Sequence, residues 1–137
     1  MATSKSNPLI QVVLIDDDEF IRTALRLLLR EAGFTIAGEA KDAATGISMV
    51  ERLQPDVVCL DIQMPGMDGL SALKTLRANW PQIGVLMVTA SAERAVVKQA
   101  LELGASGYVV KPFNASSVEK SVRVAASVRS AESHSRL

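Results

Sequence analysis

The sequence predicts a doubly wound α/β domain, with five helices around a five-stranded parallel sheet of strand order 2-1-3-4-5. Five short apolar runs recur along its 137 residues. Each run is followed by a segment in which apolar side chains repeat at helical spacing. Four of the runs are nearly continuous rather than alternating, which is typical of parallel strands that helices cover on both faces. Right-handed crossovers are expected to join these strands.

The five apolar runs are the predicted strands. The second run is weaker and more polar than the others, and a strand of this kind is expected at the edge of a sheet. The predicted strands are Gln11 to Ile15, Thr35 to Ala37, Val57 to Leu60, Val85 to Val88 and Tyr108 to Val110.

The segments that follow these runs are predicted to be amphipathic helices, because their apolar residues recur three or four positions apart and therefore share one face. The predicted inner faces contain Ile21, Ala24, Leu25 and Leu28 in the first helix, Ala43, Ile47 and Val50 in the second, Leu70, Leu73 and Leu76 in the third, Val97, Ala100 and Leu101 in the fourth, and Val118, Val122 and Ala125 in the fifth.

Residues that favour helix ends separate these segments. Gly33 is placed to end the first helix in a left-handed conformation. Asp42 is predicted to cap the second helix with its carboxylate, and Pro55 stops that helix. The third helix is predicted to end before Pro81 and the fourth at Gly104.

The composition indicates one soluble domain. Hydrophobic residues make up 48% of the chain, and 15 basic residues balance 15 acidic ones. A net charge of zero gives no basic field for direct nucleic-acid binding. No stretch approaches the roughly 20 apolar residues of a membrane span, and the first eight residues lack the apolar centre of a signal peptide. We therefore expect a cytoplasmic protein that does not contact a membrane.

The domain is expected to span residues 9–128. Residues 1–8 and 129–137 show no apolar period and are predicted to be flexible termini. Cys59 is the only cysteine, which rules out an internal disulfide and fits a reducing compartment. Because it lies within an apolar run, we interpret it as a small buried hydrophobic residue rather than a reactive thiol.

Polar residues follow the carboxyl ends of the predicted inner strands. The run Asp16–Asp18 follows the first strand, Asp61 the third and Thr89 the fourth, and Lys111 lies just past the fifth. In open α/β sheets, ligands bind outside the carboxyl ends of the strands, where the strand order reverses. With the first and third strands adjacent, these side chains are expected to meet in one crevice.

This set of residue types favours phosphoryl chemistry. Clustered carboxylates repel one another unless a cation joins them, and an incomplete cage of oxygen ligands suits Mg²⁺, with Mn²⁺ as a second candidate. A carboxylate beside such a cation can act as a nucleophile toward phosphorus. Asp61 is the candidate nucleophile, while Lys111 would neutralise phosphoryl oxygens and the Thr89 hydroxyl would donate a hydrogen bond to one of them.

Each of these residues also has a structural interpretation. Aspartates favour the first turn of a helix, and Asp18 is expected to have this role. Asp61 could be a turn residue, Thr89 a strand-end residue and Lys111 a solvated charge. Their common position at one edge of the sheet favours a shared site over four separate explanations.

Over Leu9 to Val128 the sequence resembles the response-regulator receiver family of two-component signal transduction, whose fold is flavodoxin-like or CheY-like. The resemblance depends on motifs that follow one another in the family's order and spacing. They lie within Val13–Asp18, Leu60–Gly69, Leu86–Ala90 and Gly104–Phe113.

The resemblance implies a role for each site residue. Asp61 would be the phosphoacceptor and also a metal ligand. Asp17 would be a direct metal ligand, with Asp16 holding a metal-bound water. The backbone carbonyl of Gln63 would be a further ligand. The family also implies a cis peptide bond between Lys111 and Pro112.

The resemblance further implies a conformational switch. Thr89 and Tyr108 match the family's switch pair, which changes the surface formed by the fourth helix, fifth strand and fifth helix. The structural alternative for Tyr108 is a half-buried aromatic residue on an edge strand. Gln63 and Ser91 occupy positions that the family uses to tune dephosphorylation, and they differ there from the asparagine and glutamate of CheY.

The leading hypothesis is a signalling module that a sensor histidine kinase or a histidine phosphotransfer protein phosphorylates. Its output would be contact with another protein or with a second copy of itself. It would catalyse only its own phosphorylation and dephosphorylation. One alternative is that the chain is the receiver fragment of a longer DNA-binding or enzymatic regulator. Another is a Mg²⁺-dependent phosphohydrolase of the haloacid-dehalogenase type, which needs an aspartate where Gln63 stands.

Overall fold

The computed structural model describes residues 9–135, and it describes side chains for residues 9–128. The predicted terminus at residues 1–8, and residues 136 and 137, lie outside the described residues. Within the described part, no helix combines the length and apolar composition that a membrane span requires.

Strands and helices alternate five times along the chain. The strands are β1 (Gln11–Ile15), β2 (Thr35–Ala40), β3 (Val57–Leu60), β4 (Gly84–Thr89) and β5 (Gly107–Val110). The helices are α1 (Glu19–Glu31), α2 (Ala43–Leu53), α3 (Gly69–Asn79), α4 (Arg94–Glu102) and α5 (Ala115–Ser135).

The five strands form one sheet in the order β2-β1-β3-β4-β5, and every neighbouring pair is parallel. The predicted fold class and strand order are therefore confirmed. β1, β3 and β4 are buried along almost their whole length, as expected for strands covered on both faces. β2 lies at one edge, as its polar sequence predicts.

The core consists of two apolar layers, one on each face of the sheet. α2, α3 and α4 pack on one face, where Leu73 and Leu76 of α3 are fully buried. α1 and α5 pack on the other face, where Val118, Val122 and Ala125 are fully buried as predicted. Because helices cover both faces of the sheet, the amino and carboxyl ends of the strands are the parts that stay uncovered.

Two residues predicted on inner helix faces are exposed. Leu25 and Leu29 of α1 face the sheet, so Ala24 turns toward solvent. In α4 it is Ala100 that is fully buried, and the side chain of Leu101 is 49% exposed. Successive helical residues differ in direction by about 100°, so a small error in the orientation of a predicted stripe places its marginal residue on the wrong face.

Two element boundaries differ from the prediction by three residues or more, and β4 and β5 differ by one residue at one or both ends. β2 continues to Ala40, three residues beyond the predicted end, because Ala40 pairs with Ile15. α5 continues to Ser135, beyond the predicted end of the domain at residue 128, while the flexibility of residues 129–137 stays a prediction. The sequence between Ala115 and Ser135 contains neither glycine nor proline, and nothing in it stops a helix that has already formed.

The predicted caps are present at helix ends. The carboxylate of Asp18 accepts hydrogen bonds from the Phe20 and Ile21 amides, and that of Asp42 accepts one from Thr45. Gly33 and Gly104 have φ values of 98° and 103°, a region that residues with a side chain rarely adopt.

We expect Leu73→Ala to lower the free energy of unfolding by about 2–5 kcal/mol, because it opens a cavity beneath α3. Leu27→Ala is the matched control, since Leu27 is a helical leucine that is 60% exposed, and a loss below about 1 kcal/mol is expected there. Urea denaturation measures both values. Equal losses for the two variants would contradict the packing described here.

Candidate functional site

The predicted site residues converge at the carboxyl edge of the sheet. β1 and β3 are neighbours in register, with Ile15 opposite Leu60. Asp16 and Asp61, which follow those residues, therefore lie side by side, and the Asp61 amide donates to the Ile15 carbonyl at 3.1 Å. Thr89 ends β4, and Lys111 follows β5.

Three carboxylates form a cluster at this edge. Asp16, Asp17 and Asp61 each offer an oxygen, and these oxygens lie within 4.8 Å of one another. Asp16 and Asp61 are buried, with 2% and 5% of their surfaces exposed, whereas Asp17 is exposed. An oxygen-only donor set that opens to solvent on one side fits Mg²⁺ or Mn²⁺, which keep part of their water shell.

Lys111 pairs with the two buried carboxylates. Its Nζ donates to Oδ2 of Asp16 at 2.9 Å and to Oδ2 of Asp61 at 3.1 Å. The Lys111–Pro112 peptide bond is cis. The interpretation of Lys111 as a solvated surface charge is therefore wrong, because the ammonium group lies within the acidic cluster.

The pKa values of Asp16 and Lys111 are both raised, for different reasons. Burial raises the pKa of Asp16, although the hydrogen bond from Lys111 works in the opposite direction. Burial by itself would lower the pKa of Lys111, but its hydrogen bonds to Asp16 and Asp61 outweigh this effect and the pKa is raised. One ammonium group thus faces three carboxylates, and the cluster favours the binding of additional positive charge.

Thr89 and Ser91 contribute buried hydroxyl groups near the same edge. Thr89 is fully buried, and neither its Oγ1 nor the Oγ of Ser91 has a hydrogen-bond partner among residues 9–128. Leaving a buried hydroxyl unpaired costs about 1–3 kcal/mol. Strand propensity alone does not explain such a cost at Thr89, and a ligand oxygen at this edge would supply the missing partner.

Tyr108 links β5 to the segment after β4. Its hydroxyl donates to the Ser91 carbonyl at 2.8 Å, and the ring is half-buried. Burial raises the pKa of Tyr108, and the charges of Asp61 and Glu93 act in the same direction while the hydrogen bond with Ser91 opposes it. The residue therefore meets the description of a half-buried edge aromatic and also contacts the loop beside the acidic cluster.

The turn after β3 holds the Asp61 side chain and packs closely against α3. The side chain of Gln63 is exposed, and its backbone amide donates to Oδ1 of Asp61 at 3.2 Å. The Gly69 amide donates to the Ile62 carbonyl at 2.8 Å. A Cβ atom at Gly69 would collide with the Asp61 carbonyl oxygen, so only glycine allows α3 to begin this close to the site.

Two residues that position the site were not singled out from the sequence. The sequence does contain a signal for Gly69, because a glycine in the first turn of a helix is unfavourable unless close packing requires it. The sequence contains no such signal for Arg22. Its guanidinium donates to the Asp16 carbonyl, which precedes α1, and this contact depends on how the side chain folds back toward the start of the helix.

Residues 12–123 match the family model described as response regulator receiver domain. The chain belongs to this family. CcdB of Bacillus subtilis is 38% identical to the receiver domain described here over 112 residues, which are 82% of this chain and 93% of CcdB. The chemotaxis protein CheY of Listeria monocytogenes is 33% identical over 118 residues, 86% of this chain and 99% of that protein.

A solved structure of a complex contains a similar fold. It is the CheX–CheY–BeF3–Mg²⁺ complex of Borrelia burgdorferi, with a TM-score of 0.82 and 28% identity over 86% of this chain and 90% of the matched chain. Fold, motifs and relatives agree that the chain is a CheY-like receiver domain of two-component signalling.

Cys59 lies on β3, two positions before Asp61. It is 2% exposed, which confirms the interpretation as a small buried hydrophobic residue. Burial raises the pKa of its thiol from an ordinary 9.0 to about 12. The thiolate is the reactive form of cysteine, so burial keeps this side chain in its less reactive thiol form at neutral pH.

The buried thiol predicts a specific alkaline loss of stability. Above pH 9.0 the unfolded chain loses the thiol proton while the folded chain retains it up to about pH 12, so stability falls as pH rises through this window and is unaffected below it. The wild type should lose up to about 1.4 kcal/mol per pH unit more than Cys59→Val. Urea denaturation at several pH values measures the difference. Parallel curves for the two proteins would contradict the assignment, because a change in side-chain volume shifts the curve without changing its slope.

Proposed function

We propose that Asp61 accepts a phosphoryl group from a phosphohistidine on a sensor histidine kinase or a histidine phosphotransfer protein. The reaction requires Mg²⁺, for which Mn²⁺ can substitute. The product changes the surface formed by α4, β5 and α5, and this surface binds an output protein or a second copy of the domain.

The observation that supports this proposal best is the placement of Asp61. Its carboxylate is buried at the end of β3 with Lys111 Nζ 3.1 Å from one oxygen, and carboxylates of Asp16 and Asp17 lie within 4.8 Å. A carboxylate with a purely structural role needs one cationic partner. Asp61 instead shares Lys111 with Asp16, and Asp17 adds a third carboxylate to the cluster without a second cation. The arrangement suits a group that is to be joined by a divalent cation and a phosphate.

Each residue of the site has a separate role in the transfer. An Asp61 oxygen forms a bond to phosphorus as the phosphorus–nitrogen bond breaks, and the electron pair of that bond remains on the imidazole of the donor. Lys111 neutralises a phosphoryl oxygen, and the buried Thr89 hydroxyl donates to another. Asp16, Asp17 and the Gln63 carbonyl would hold the cation, which when bound offsets the charge of the phosphoryl oxygens.

The same residues provide a switch. Once the Thr89 hydroxyl donates to a phosphoryl oxygen, the packing near β4 and β5 favours one position of the Tyr108 ring over others. The Tyr108 hydroxyl already donates a hydrogen bond to the Ser91 carbonyl, in the loop that precedes α4. A shift between two populations of this ring would change the exposed surface of α4, β5 and α5. Gln63 and Ser91 adjoin the phosphoryl position and would set the rate of dephosphorylation.

The solved relative from Borrelia burgdorferi supports the role of a divalent cation, since that complex contains Mg²⁺ together with BeF3 and a protein partner, CheX. The proposed chemistry is limited to the domain itself. Turnover of external phosphoesters would need a general acid two residues past Asp61, and Gln63 stands there with an amide that cannot donate a proton to a leaving group. A cytoplasmic location and the absence of direct nucleic-acid contact remain predictions.

Incubation with acetyl phosphate and Mg²⁺ should add one phosphoryl group to the wild type and none to Asp61→Asn. Intact-mass spectrometry measures the adduct, and removal of Mg²⁺ by a chelator should prevent it. Asp18→Asn is the matched control, because Asp18 belongs to the same acidic run but caps α1, and an asparagine can still cap the helix. Undiminished incorporation in Asp61→Asn would refute the assignment of the acceptor.

Asp17→Asn should weaken Mg²⁺ binding by about tenfold or more, because it removes the one exposed carboxylate of the cluster. Isothermal titration calorimetry of the unphosphorylated domain measures the dissociation constant. Asp18→Asn again serves as the control and should retain the affinity of the wild type. Equal dissociation constants for all three proteins would place the cation elsewhere.

A further inference from the structure

Arg22 on α1 connects the acidic cluster to the edge strand of the sheet. Its Nη1 donates to the backbone carbonyl of Asp16 at 2.6 Å. Its Nε lies 3.5 Å from Oε1 of Glu39 on β2, and the Arg22 side chain is 16% exposed. The guanidinium is therefore held between a carboxylate of one strand and the carboxyl end of the next.

The carbonyl that Arg22 contacts belongs to the peptide unit that joins Asp16 to Asp17. A peptide unit is planar, so a hydrogen bond to its oxygen fixes the plane and with it the direction in which the chain enters Asp17. The other contacts of Asp16 act elsewhere. Its amide donates to the Ala40 carbonyl, and its carboxylate accepts from the Asp18 amide and from Lys111. Of these contacts, the one from Arg22 is made to the peptide that leads to Asp17.

Glu39 reaches Arg22 because of an irregularity in β2. The pairing of β1 with β2 shifts by one residue between Val12 and Val13, and Glu39 lies opposite Leu14. Leu14 belongs to the apolar layer that α1 covers. Because side chains alternate along a strand, regular pairing would place Glu39 opposite Ile15, on the face that α2 covers.

Arg26 provides a natural comparison within the same helix. It lies one turn further along α1, and its Nη1 contacts Oε2 of Glu39 at 2.6 Å. Arg22 and Arg26 thus share the Glu39 carboxylate, but the hydrogen bond to Asp16 comes from Arg22. Both arginines thus contact Glu39, and of the two it is Arg22 that also reaches the backbone of the acidic turn.

We propose that Arg22 is a positioning residue that sets the orientation of the Asp16–Asp17 peptide for cation binding, and that Glu39 holds its guanidinium in place. The statement about the cation rests on the proposed function. The statement about the peptide does not, because it concerns the unphosphorylated, metal-free chain.

Amide exchange in metal-free buffer tests the peptide directly. The Asp18 amide donates to Oδ1 of Asp16 at 2.9 Å, so its protection reports how firmly the acidic turn is held. Arg22→Met should speed exchange of this amide by roughly tenfold, as expected for loss of a hydrogen bond from a charged donor. Arg26→Met should leave it within about twofold of the wild type. NMR measures both rates, and the amide of Val58 in β3 corrects for changes in global stability.

The same variants test the effect on the cation. Arg22→Met should raise the Mg²⁺ dissociation constant by about tenfold relative to Arg26→Met. Both variants remove one positive charge from α1, and the charge lost at Arg22 lies nearer the cluster. Loss of this nearby charge would by itself strengthen Mg²⁺ binding, so weaker binding in Arg22→Met reports the loss of positioning. Arg22→Lys is a second variant, whose single ammonium group cannot hold Glu39 and the carbonyl in the geometry of a guanidinium. It should show intermediate exchange, and Arg26→Lys is its control should the methionine variants fail to fold.

The outcomes separate the two proposals. A wild type that binds no Mg²⁺ would refute the proposed function, and the exchange rates would still decide whether Arg22 orients the peptide. Equal exchange of the Asp18 amide in the Arg22 and Arg26 variants would overturn the positioning role. Faster exchange in the Arg22 variant with unchanged Mg²⁺ affinity would overturn its connection with the cation.

Discussion

The ion pairs of Lys111 with Asp16 and Asp61 join three strands at one edge of the sheet. Burying a carboxylate without a partner costs several kcal/mol, and β1 and β3 each end in a buried one. A single ammonium group partly offsets both. The edge of the sheet is therefore stable enough to fold while retaining more negative than positive charge. That residual charge suits this end of the sheet to a divalent cation, and a bound cation would offset the charge of the phosphoryl group proposed above.

The strand order makes this convergence possible. Asp16 and Asp61 are far apart in sequence, but the placement of β1 beside β3 brings them into neighbouring positions. The parallel arrangement points every strand end toward the same edge, so β4 adds the Thr89 hydroxyl and β5 the lysine. Covering both faces with helices leaves this edge open. The fold thus concentrates polar groups in one place while its apolar residues satisfy the core.

The sequence predicted the parts of the molecule that depend on local pattern. β1, β3 and β4 are continuous apolar runs because both faces are buried, and the site residues were found because they follow those runs. The end of β2 was missed because Gly38 and Glu39 interrupt the apolar pattern, although the strand continues through them. Arg22 could not be found in this way. Its contacts depend on the conformation of its own side chain and on how β2, which carries Glu39, pairs with β1.

The irregularity in β2 shows why such contacts escape a residue pattern. Periodicity assigns each strand residue to a face by counting in steps of two, and one extra residue reverses the assignment for all that follow. A Cβ atom at Gly38 would collide with Met49 of α2, and Ala37 packs in the same apolar layer, so two consecutive residues face α2. The next residue, Glu39, consequently faces α1 and meets both arginines. A shift of one residue at the edge of the sheet therefore determines which charges lie behind the acidic cluster, and this information belongs to strand pairing rather than to either strand alone.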